Sequence, residues 1–193
     1  MRTSGNLLRA ILSRDHVCPW WLAYSFDNRL RRFIHRPERL LGPYVRQGMT
    51  VLDVGCGMGH FSLGLARMVG SDGQVIAVDL QPEMLEVLSA RANKEGLDER
   101  IRLHRCQKDE LGVDVAADFI LTFWMAHEVG RLESFMDEIY TLLKDGGNYF
   151  LAEPIVHVSA EKFRRLSDAA VKAGFQICDE PRVRLSRALV FGK

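Results

Sequence analysis

The sequence contains few cysteines, and their spacing excludes the common cysteine-based frameworks. Four cysteines are scattered over 193 residues without a C-x-x-C pair, the spacing that zinc sites and redox-active dithiols use. Small secreted domains held together by disulfides carry cysteine at a much higher density. We therefore expect reduced thiols, and the sequence predicts neither a disulfide framework nor a bound metal.

Long apolar runs and a surplus of one charge are also missing. No uninterrupted apolar stretch approaches the roughly 18 residues of a membrane-spanning helix, and the N-terminus lacks the apolar centre of a signal peptide. The formal net charge is only +1, whereas domains that bind nucleic acids are usually strongly basic. These absences predict a cytoplasmic protein with no membrane contact, and they disfavour nucleic acid as a partner.

The most informative stretch that is present runs from Thr50 to Gly59 and reads Thr-Val-Leu-Asp-Val-Gly-Cys-Gly-Met-Gly. Its apolar first half is typical of a strand that is buried on both faces of a parallel sheet. Glycines at alternate positions follow, where a chain turns sharply and lets a ligand touch bare backbone. The amphipathic run from His60 to Val69 then predicts a helix whose free N-terminal amides can receive an anionic group.

The spacing Asp53-x-Gly55-x-Gly57-x-Gly59 narrows the choice of cofactor. A dinucleotide fingerprint has its third glycine one position later, where this sequence has His60, so NAD and FAD are disfavoured. The pattern instead resembles motif I of the class I S-adenosylmethionine-dependent methyltransferases, and the resemblance continues in order through almost the whole chain. It implies S-adenosylmethionine as methyl donor and S-adenosylhomocysteine as product.

The resemblance also implies which residues bind the donor. Asp79 follows the second predicted strand, about two dozen residues after Asp53, and corresponds to the carboxylate that holds a ribose diol. The adenine contact falls to Gln107 or Asp109, and this choice stays open because Gln107 stands where the family usually has an acid. The predicted donor site consists of Asp53, Gly55, Cys56, Gly57, Gly59, Asp79, Leu80, Gln107, Lys108, Asp109, Phe123 and Trp124.

The acceptor side is predicted at the end of the fourth strand, Asp118 to Phe123, because ligands bind at the carboxyl ends of strands in open α/β sheets. In the family this segment lines the donor and acceptor sites. A neutral imidazole removes a proton near pH 7, so His127, with Glu128 nearby, is a candidate general base. A structural role for His127 at the start of the next helix fits equally well. The candidate catalytic residues are His127, Glu128 and Trp124.

Further candidates for contact with the acceptor come from two other segments. Glu153 and His157 follow the fifth predicted strand and fall on the same ligand edge. Trp20, Trp21 and Tyr24 crowd a short N-terminal segment, and they either wall a substrate pocket or cover one end of the core.

The order of elements predicts one α/β domain of three αβα layers. The resemblance to the methyltransferase family implies a Rossmann-like sheet of about seven strands, mostly parallel with an antiparallel last strand. Residues 1–47 are interpreted as an N-terminal helical cap and residues 48–193 as the cofactor-binding core. A helix is expected to stop at Lys144-Asp-Gly-Gly147, before a fifth strand from Tyr149 to Ala152.

Together these features predict an S-adenosylmethionine-dependent methyltransferase that acts on a small molecule. The arginine-rich segment from Arg29 to Arg39 is either a solvated face or a site that attracts an anionic substrate. The alternatives are an RNA or protein methyltransferase and a non-catalytic protein that binds S-adenosylmethionine. The sequence leaves the acceptor and the oligomeric state open.

Overall fold

The structure, a computed structural model, describes residues 34–193, and a twisted sheet forms its centre. The strands are β1 (Thr50–Val54), β2 (Gln74–Asp79), β3 (Ile101–Arg105), β4 (Ala117–Phe123), β5 (Leu143–Pro154), β6 (Gln176–Asp179) and β7 (Ser186–Gly192). The helices are α1 (Pro37–Leu41), α2 (His60–Val69), α3 (Pro82–Glu95), α4 (Leu132–Leu142) and α5 (Ala160–Lys172). Two short 3-10 helices are Asp98–Arg100 and Ala126–Glu128.

The strand order is β3-β2-β1-β4-β5-β7-β6. Neighbouring strands from β3 to β5 are parallel, whereas β7 runs antiparallel to both β5 and β6. From β1 the chain adds β2 and β3 on one side, and it then returns to add β4 on the other side of β1. This reversal of strand order creates a crevice at the carboxyl ends of β1 and β4. The predicted fold class, seven strands with an antiparallel last strand, is confirmed.

Two apolar cores, one on each face of the sheet, explain why the central strands are almost continuously apolar. Val51 belongs to the core shared with α2 and α3, whereas Leu52 and Val54 belong to the core shared with α4 and α5. This alternation follows from strand geometry, since successive side chains point to opposite faces. Polar residues in the buried part of β1 and β2 are therefore exceptions, and both exceptions, Asp53 and Asp79, lie near the carboxyl edge.

Glycine sets the ends of the two helices beside β1 and β2. Helix α2 spans His60–Val69 as predicted, between Gly59 and Gly70, which both have positive φ. Helix α3 starts at Pro82 and ends before Gly96, whose φ of 64° is the left-handed conformation of a helix C-cap. The buried residues of α3 are Met84, Leu85, Leu88 and Ala92.

The start of β5 differs from the prediction. The segment Lys144-Asp-Gly-Gly147 indicated a turn before a strand at Tyr149, but β5 begins at Leu143, directly after α4. Leu143 pairs with Ala117 of β4, and the register shifts immediately after this pair. Gly146 has φ 77°, a conformation that lets a strand bulge without leaving the sheet. The glycines therefore shape an irregular strand start rather than a separate turn.

The first described residues pack into the core. His35, Leu41 and Val45 are each at most 5% exposed, and the Tyr44 hydroxyl donates to Asp179 Oδ2 at 2.5 Å, across 135 residues. Most of the predicted cap, including Trp20, Trp21 and Tyr24, lies outside the described residues. No helix within residues 34–193 is long and apolar enough to cross a membrane, and the cytoplasmic location stays a prediction.

Candidate active site

The turn between β1 and α2 has a left-handed backbone at three glycines, with φ 71° at Gly55, 53° at Gly57 and 83° at Gly59. A Cβ added at Gly55 would lie 2.6 Å from Met125 Cγ, and one at Gly59 would lie 2.1 Å from Leu88 Cδ1. A Cβ at Gly57 would meet nothing within 4 Å. Two of the glycines therefore serve close packing, and Gly57 borders open space.

Helix α2 begins at the end of this turn without a side-chain cap, and its first turn contains no acidic residue. The first amides of an α-helix have no partner within the helix, and the helix dipole places partial positive charge there. The N-terminus of α2 therefore offers N–H donors to an anionic group beside the space at Gly57.

Asp79 lies at the end of β2, next to the same turn. Its Oδ2 accepts a hydrogen bond from the Gly57 N–H at 2.8 Å, and its Oδ1 accepts one from the Gln81 N–H at 2.9 Å. Burial raises the pKa of this carboxyl above its ordinary value, and the backbone N–H donors oppose that rise. Each oxygen keeps acceptor capacity, so the carboxylate can receive two hydroxyls.

Asp53 and Cys56 face the protein interior. The Ser62 hydroxyl donates to Asp53 Oδ2 at 2.5 Å, which ties β1 to α2. The Cys56 N–H donates to the Val78 carbonyl at 3.0 Å and ties the turn to β2. Burial raises the pKa of the Cys56 thiol well above its ordinary value, and the nearby carboxylates of Asp53 and Asp79 add to the rise. These contacts hold the turn in place beneath the open space.

The segment predicted to reach the adenine follows β3. Gln107, Lys108 and Asp109 are all exposed, and Gln107 pairs through its backbone with Glu110 in a short bridge. Leu80, after β2, is half-buried. Because the side chains of Gln107 and Asp109 are both exposed, the choice between them stays open.

Trp124, directly after β4, has a strained backbone with φ 65°. Its indole N–H donates to Ser186 Oγ at 2.8 Å, and its ring meets the His35 ring edge-on at 5.1 Å between centroids. Positive φ is rare for a bulky residue and clusters at functional sites when the surroundings enforce it. Phe123, whose centroid is 5.5 Å from that of Trp124, completes an aromatic wall at the end of β4.

A histidine and a glutamate meet where β4 and β5 end. His127 Nδ1 lies 2.5 Å from Glu153 Oε2, and Glu153 is completely buried. Glu128, the partner that the sequence indicated, lies further away, with its Oε1 3.9 Å from His127 Nε2. His157 is exposed, whereas only 15% of the His127 side chain is accessible. The structure thus brings Glu153, rather than His157, to the candidate base.

Sequence reasoning missed the pairing of His127 with Glu153 and the support that Ser62 and Ser186 give to the site. A usable sign was present for the pair: Glu153 is the acid at the end of an otherwise apolar stretch of β5, and carboxyl ends of adjacent parallel strands share one edge. No comparable sign marked the serines, because a hydroxyl alone does not reveal its partner.

A family model described as a methyltransferase domain matches residues 46–182, a stretch that contains the glycine turn, Asp79 and both strand ends just described. The chain belongs to the class I S-adenosylmethionine-dependent methyltransferases. The cofactor of this methyltransferase is S-adenosylmethionine. The residues present fit that group, because they offer bare backbone, an uncapped helix end and a two-oxygen acceptor around one open space.

The relatives of this methyltransferase are named after different methyl acceptors, namely a ribosomal protein, a quinone and a ribosomal RNA. The ribosomal protein L11 methyltransferase of Bacillus licheniformis is 36% identical over 137 residues, or 70% of this chain and 40% of that protein. The demethylmenaquinone methyltransferase of Symbiobacterium thermophilum is 32% identical over 167 residues, or 80% of this chain and 66% of that protein. A 23S rRNA (uracil(1939)-C(5))-methyltransferase of Acinetobacter baumannii is 31% identical over 137 residues, or 69% of this chain and 28% of that protein.

The chain therefore spans 28% to 66% of the length of these curated relatives. A solved S-adenosylmethionine-dependent methyltransferase from Aquifex aeolicus superposes with a TM-score of 0.81 at 23% identity, over 91% of this chain and 98% of that chain. This likeness shows a shared fold.

Proposed function

We propose that this methyltransferase transfers the methyl group of S-adenosylmethionine to a small molecule. The observation that carries the proposal is the recessed position of the acceptor-side residues, because His127 is 15% accessible and Glu153 is completely buried. A small molecule can enter such a recess, whereas a folded RNA or protein would have to extrude a group into it. The near-zero net charge and the demethylmenaquinone relative favour the same class.

We propose specific roles for the donor-side residues. The Asp79 carboxylate accepts the ribose hydroxyls, the bare backbone at Gly57 allows close approach, and the N-terminus of α2 faces the carboxylate of the methionine moiety. Leu80 packs against the adenine, whose amino group is contacted by Gln107 or Asp109. The remaining donor-side residues line or support the pocket, namely Asp53, Gly55, Cys56, Gly59, Lys108, Phe123 and Trp124.

Bound S-adenosylmethionine supplies a methyl group that is already activated for in-line displacement. The protein has to align the acceptor and exclude water, and alignment alone contributes roughly 7 to 11 kcal/mol to lowering the barrier. His127 holds a nitrogen at the acceptor side that can remove a proton, an effect typically worth about 10² to 10⁴-fold in rate. Glu128 borders this position, and Glu153 contacts it directly. Trp124, the remaining candidate, is proposed to line the acceptor side from the end of β4.

We propose that residues 1–33 contribute a cap over the acceptor side. The described chain begins beside this side, because His35 Nε2 lies 2.8 Å from the Arg184 carbonyl oxygen and the His35 ring packs on Trp124. Three exposed apolar side chains border the same place, Ile155 at 47%, Val156 at 78% and Leu185 at 51%. A preceding segment with Trp20, Trp21 and Tyr24 has the chemistry to cover them.

Transfer of a labelled methyl group decides between the proposal and its alternatives. The protein is incubated with [methyl-³H]S-adenosylmethionine and, separately, with the metabolite, RNA and protein fractions of a cell extract. We expect label only in the metabolite fraction, with Asp79→Ala as the inactive control. Label that ribonuclease or protease releases would assign a macromolecular acceptor. Absence of label from every fraction, with the cofactor bound, would make the protein a non-catalytic binder.

A further inference from the structure

The contact between His127 and Glu153 determines which nitrogen of the imidazole carries the proton. We propose that Glu153 is a positioning residue that keeps the His127 proton on Nδ1 and leaves Nε2 as the base, so that the acceptor is a nucleophile that loses a proton as it is methylated. This inference rests on the proposed methyl transfer and adds to it the chemical class of the acceptor: a hydroxyl, a thiol, or an amine or amide nitrogen that has a lone pair and bears a hydrogen.

The geometry selects the tautomer. Glu153 Oε2 lies 2.5 Å from His127 Nδ1, and an ionised carboxylate can only accept a hydrogen bond. Nδ1 must therefore carry the proton. In a neutral imidazole the other nitrogen then has none, so Nε2 can accept a proton from a ligand.

Glu153 has a feature that a purely structural ion pair does not need. Its Oε1 is buried and has no hydrogen-bond partner among residues 34–193. A buried carboxylate oxygen without a donor loses its hydration with nothing in return, and native structures keep few such groups. Retaining a half-satisfied carboxylate at the ligand edge points to a role in which the charge itself is required.

The charged groups around the pair hold the histidine in place. Lys162 Nζ, from α5, donates to the His127 carbonyl oxygen at 2.9 Å and fixes the backbone of the turn. Arg187 stands opposite Glu153 in the β5–β7 register, but its Nη1 donates to the Val158 carbonyl at 2.8 Å. Glu128 Oε1 lies 3.9 Å from Nε2, which is beyond hydrogen-bond distance. The direct partner of the imidazole is therefore Glu153.

The proposed step couples bond formation at the acceptor to transfer of its proton. The acceptor heteroatom forms a bond to the methyl carbon while the bond from that carbon to sulfur breaks, and the electron pair of that bond stays on sulfur. The proton of the acceptor moves to His127 Nε2, and Glu153 stabilises the resulting imidazolium. The proton later leaves to water. A nucleophile that carries no proton would gain nothing from this arrangement.

The tautomer can be measured without knowing the acceptor. Long-range ¹H–¹⁵N spectra of the ¹⁵N-histidine-labelled full chain, bound to S-adenosylhomocysteine, resolve the two ring nitrogens, and His127→Asn assigns the signals. We expect His127 to be the Nδ1–H tautomer in the wild type and to lose this preference in Glu153→Leu, because leucine has no acceptor for Nδ1–H. An Nε2–H tautomer in the wild type, or a tautomer that Glu153→Leu leaves unchanged, would overturn the proposal.

Kinetics on the labelled metabolite fraction supply the second readout. His127→Asn and Glu153→Gln should each lower the initial rate by about 100-fold or more, with cofactor affinity within about twofold of the wild type. Glu86→Gln, a matched change at an exposed position of α3, should alter neither quantity. Full activity in Glu153→Gln would contradict the role. If the wild type transferred no methyl group, the proposed function would fail, whereas the tautomer would still be tested.

Discussion

At the scale of single residues, Gly57 and Gly96 form a matched pair that separates backbone strain from cofactor contact. Both have left-handed φ, 53° and 64°, and neither would place a Cβ within 4 Å of another atom. Alanine at either position should therefore lower the free energy of unfolding by about 1 to 2 kcal/mol. Only Gly57→Ala should also weaken S-adenosylmethionine binding, by at least about tenfold.

Isothermal calorimetry and urea unfolding on both variants check this expectation. Gly96 caps α3 at the end remote from the crevice, so Gly96→Ala reports the strain alone. Equal cofactor affinity in the two variants would show that the open space at Gly57 is not where the donor binds.

Asp79 should affect stability and binding in opposite directions as pH rises. The raised pKa of the folded state means that the folded chain holds this proton more tightly than the unfolded chain. The contribution of Asp79 to stability is therefore fully present below the ordinary carboxyl pKa and is lost as pH rises through the raised value. Cofactor affinity should increase over the same range, because ribose hydroxyls donate to the ionised form.

The comparison of wild type with Asp79→Ala isolates this group. The difference in the free energy of unfolding, wild type minus variant, should fall as pH rises above the ordinary carboxyl pKa of about 4. At neutral pH the variant should lose on the order of 2 to 3 kcal/mol of S-adenosylmethionine binding. Asp168→Ala, at an exposed position of α5, is the control. Undiminished binding by Asp79→Ala would remove Asp79 from the ribose contact.

The positions that the sequence predicted well are those that depend on a local pattern. Asp79 could be placed at the end of β2 because an acid ends an apolar strand at a spacing that the family shares. The contact of His127 with Glu153 could not be placed, because it joins positions 26 residues apart whose distance is set by the β4–β5 register. Side-chain orientation across two strands is decided by packing, which a linear pattern does not contain.

At the scale of secondary-structure elements, α5 holds the backbone of the candidate base His127 through Lys162. Ser159 caps the helix by accepting a hydrogen bond from the Lys162 N–H at 3.1 Å, and the side chain of Lys162 bonds to the turn at His127. Ser159→Ala should cost about 1 kcal/mol of stability. Ser159→Asp should restore it, because a carboxylate also caps a helix and favours its N-terminus. Thermal unfolding of the three proteins measures both effects, and equal stability of the serine and alanine forms would contradict the cap.

The element boundaries show where sequence patterns suffice. Helix α2 could be predicted at both ends because glycines flank it and its apolar stripe has helical period. The start of β5 could not, because glycines that usually signal a turn here accommodate a bulge between Leu143 and Asn148. Glycine permits both conformations, and pairing with β4 decides between them.

At the scale of the whole molecule, deletion of residues 1–33 tests the proposed cap. The deletion has to end before His35, because Leu41 and Val45 are buried in the core. The shortened protein should bind S-adenosylmethionine within about tenfold of the full chain, since the donor-side residues remain, but it should transfer methyl groups at least about tenfold more slowly because water enters the acceptor side. An undiminished rate would assign the N-terminal aromatics to plain packing.

Fluorescence gives an independent check on the full chain. Of its three tryptophans, Trp124 lies at the end of β4 and the other two belong to the N-terminal segment. In Trp124→Phe, a change in emission when the cofactor binds would report on Trp20 and Trp21 alone. A cap that closes over the ligand should produce such a change.

Cys56 is a thiol that S-adenosylmethionine could methylate. A methyl sulfonium is an alkylating agent, and the thiolate form of cysteine is the nucleophile it would attack. Burial and the adjacent acids Asp53 and Asp79 raise the pKa of the Cys56 thiol and so favour its protonated form, in the turn where we propose that the donor binds. The acids that shape the site thus also protect it against self-methylation, and mass spectrometry after prolonged incubation with S-adenosylmethionine should find Cys56 unmodified.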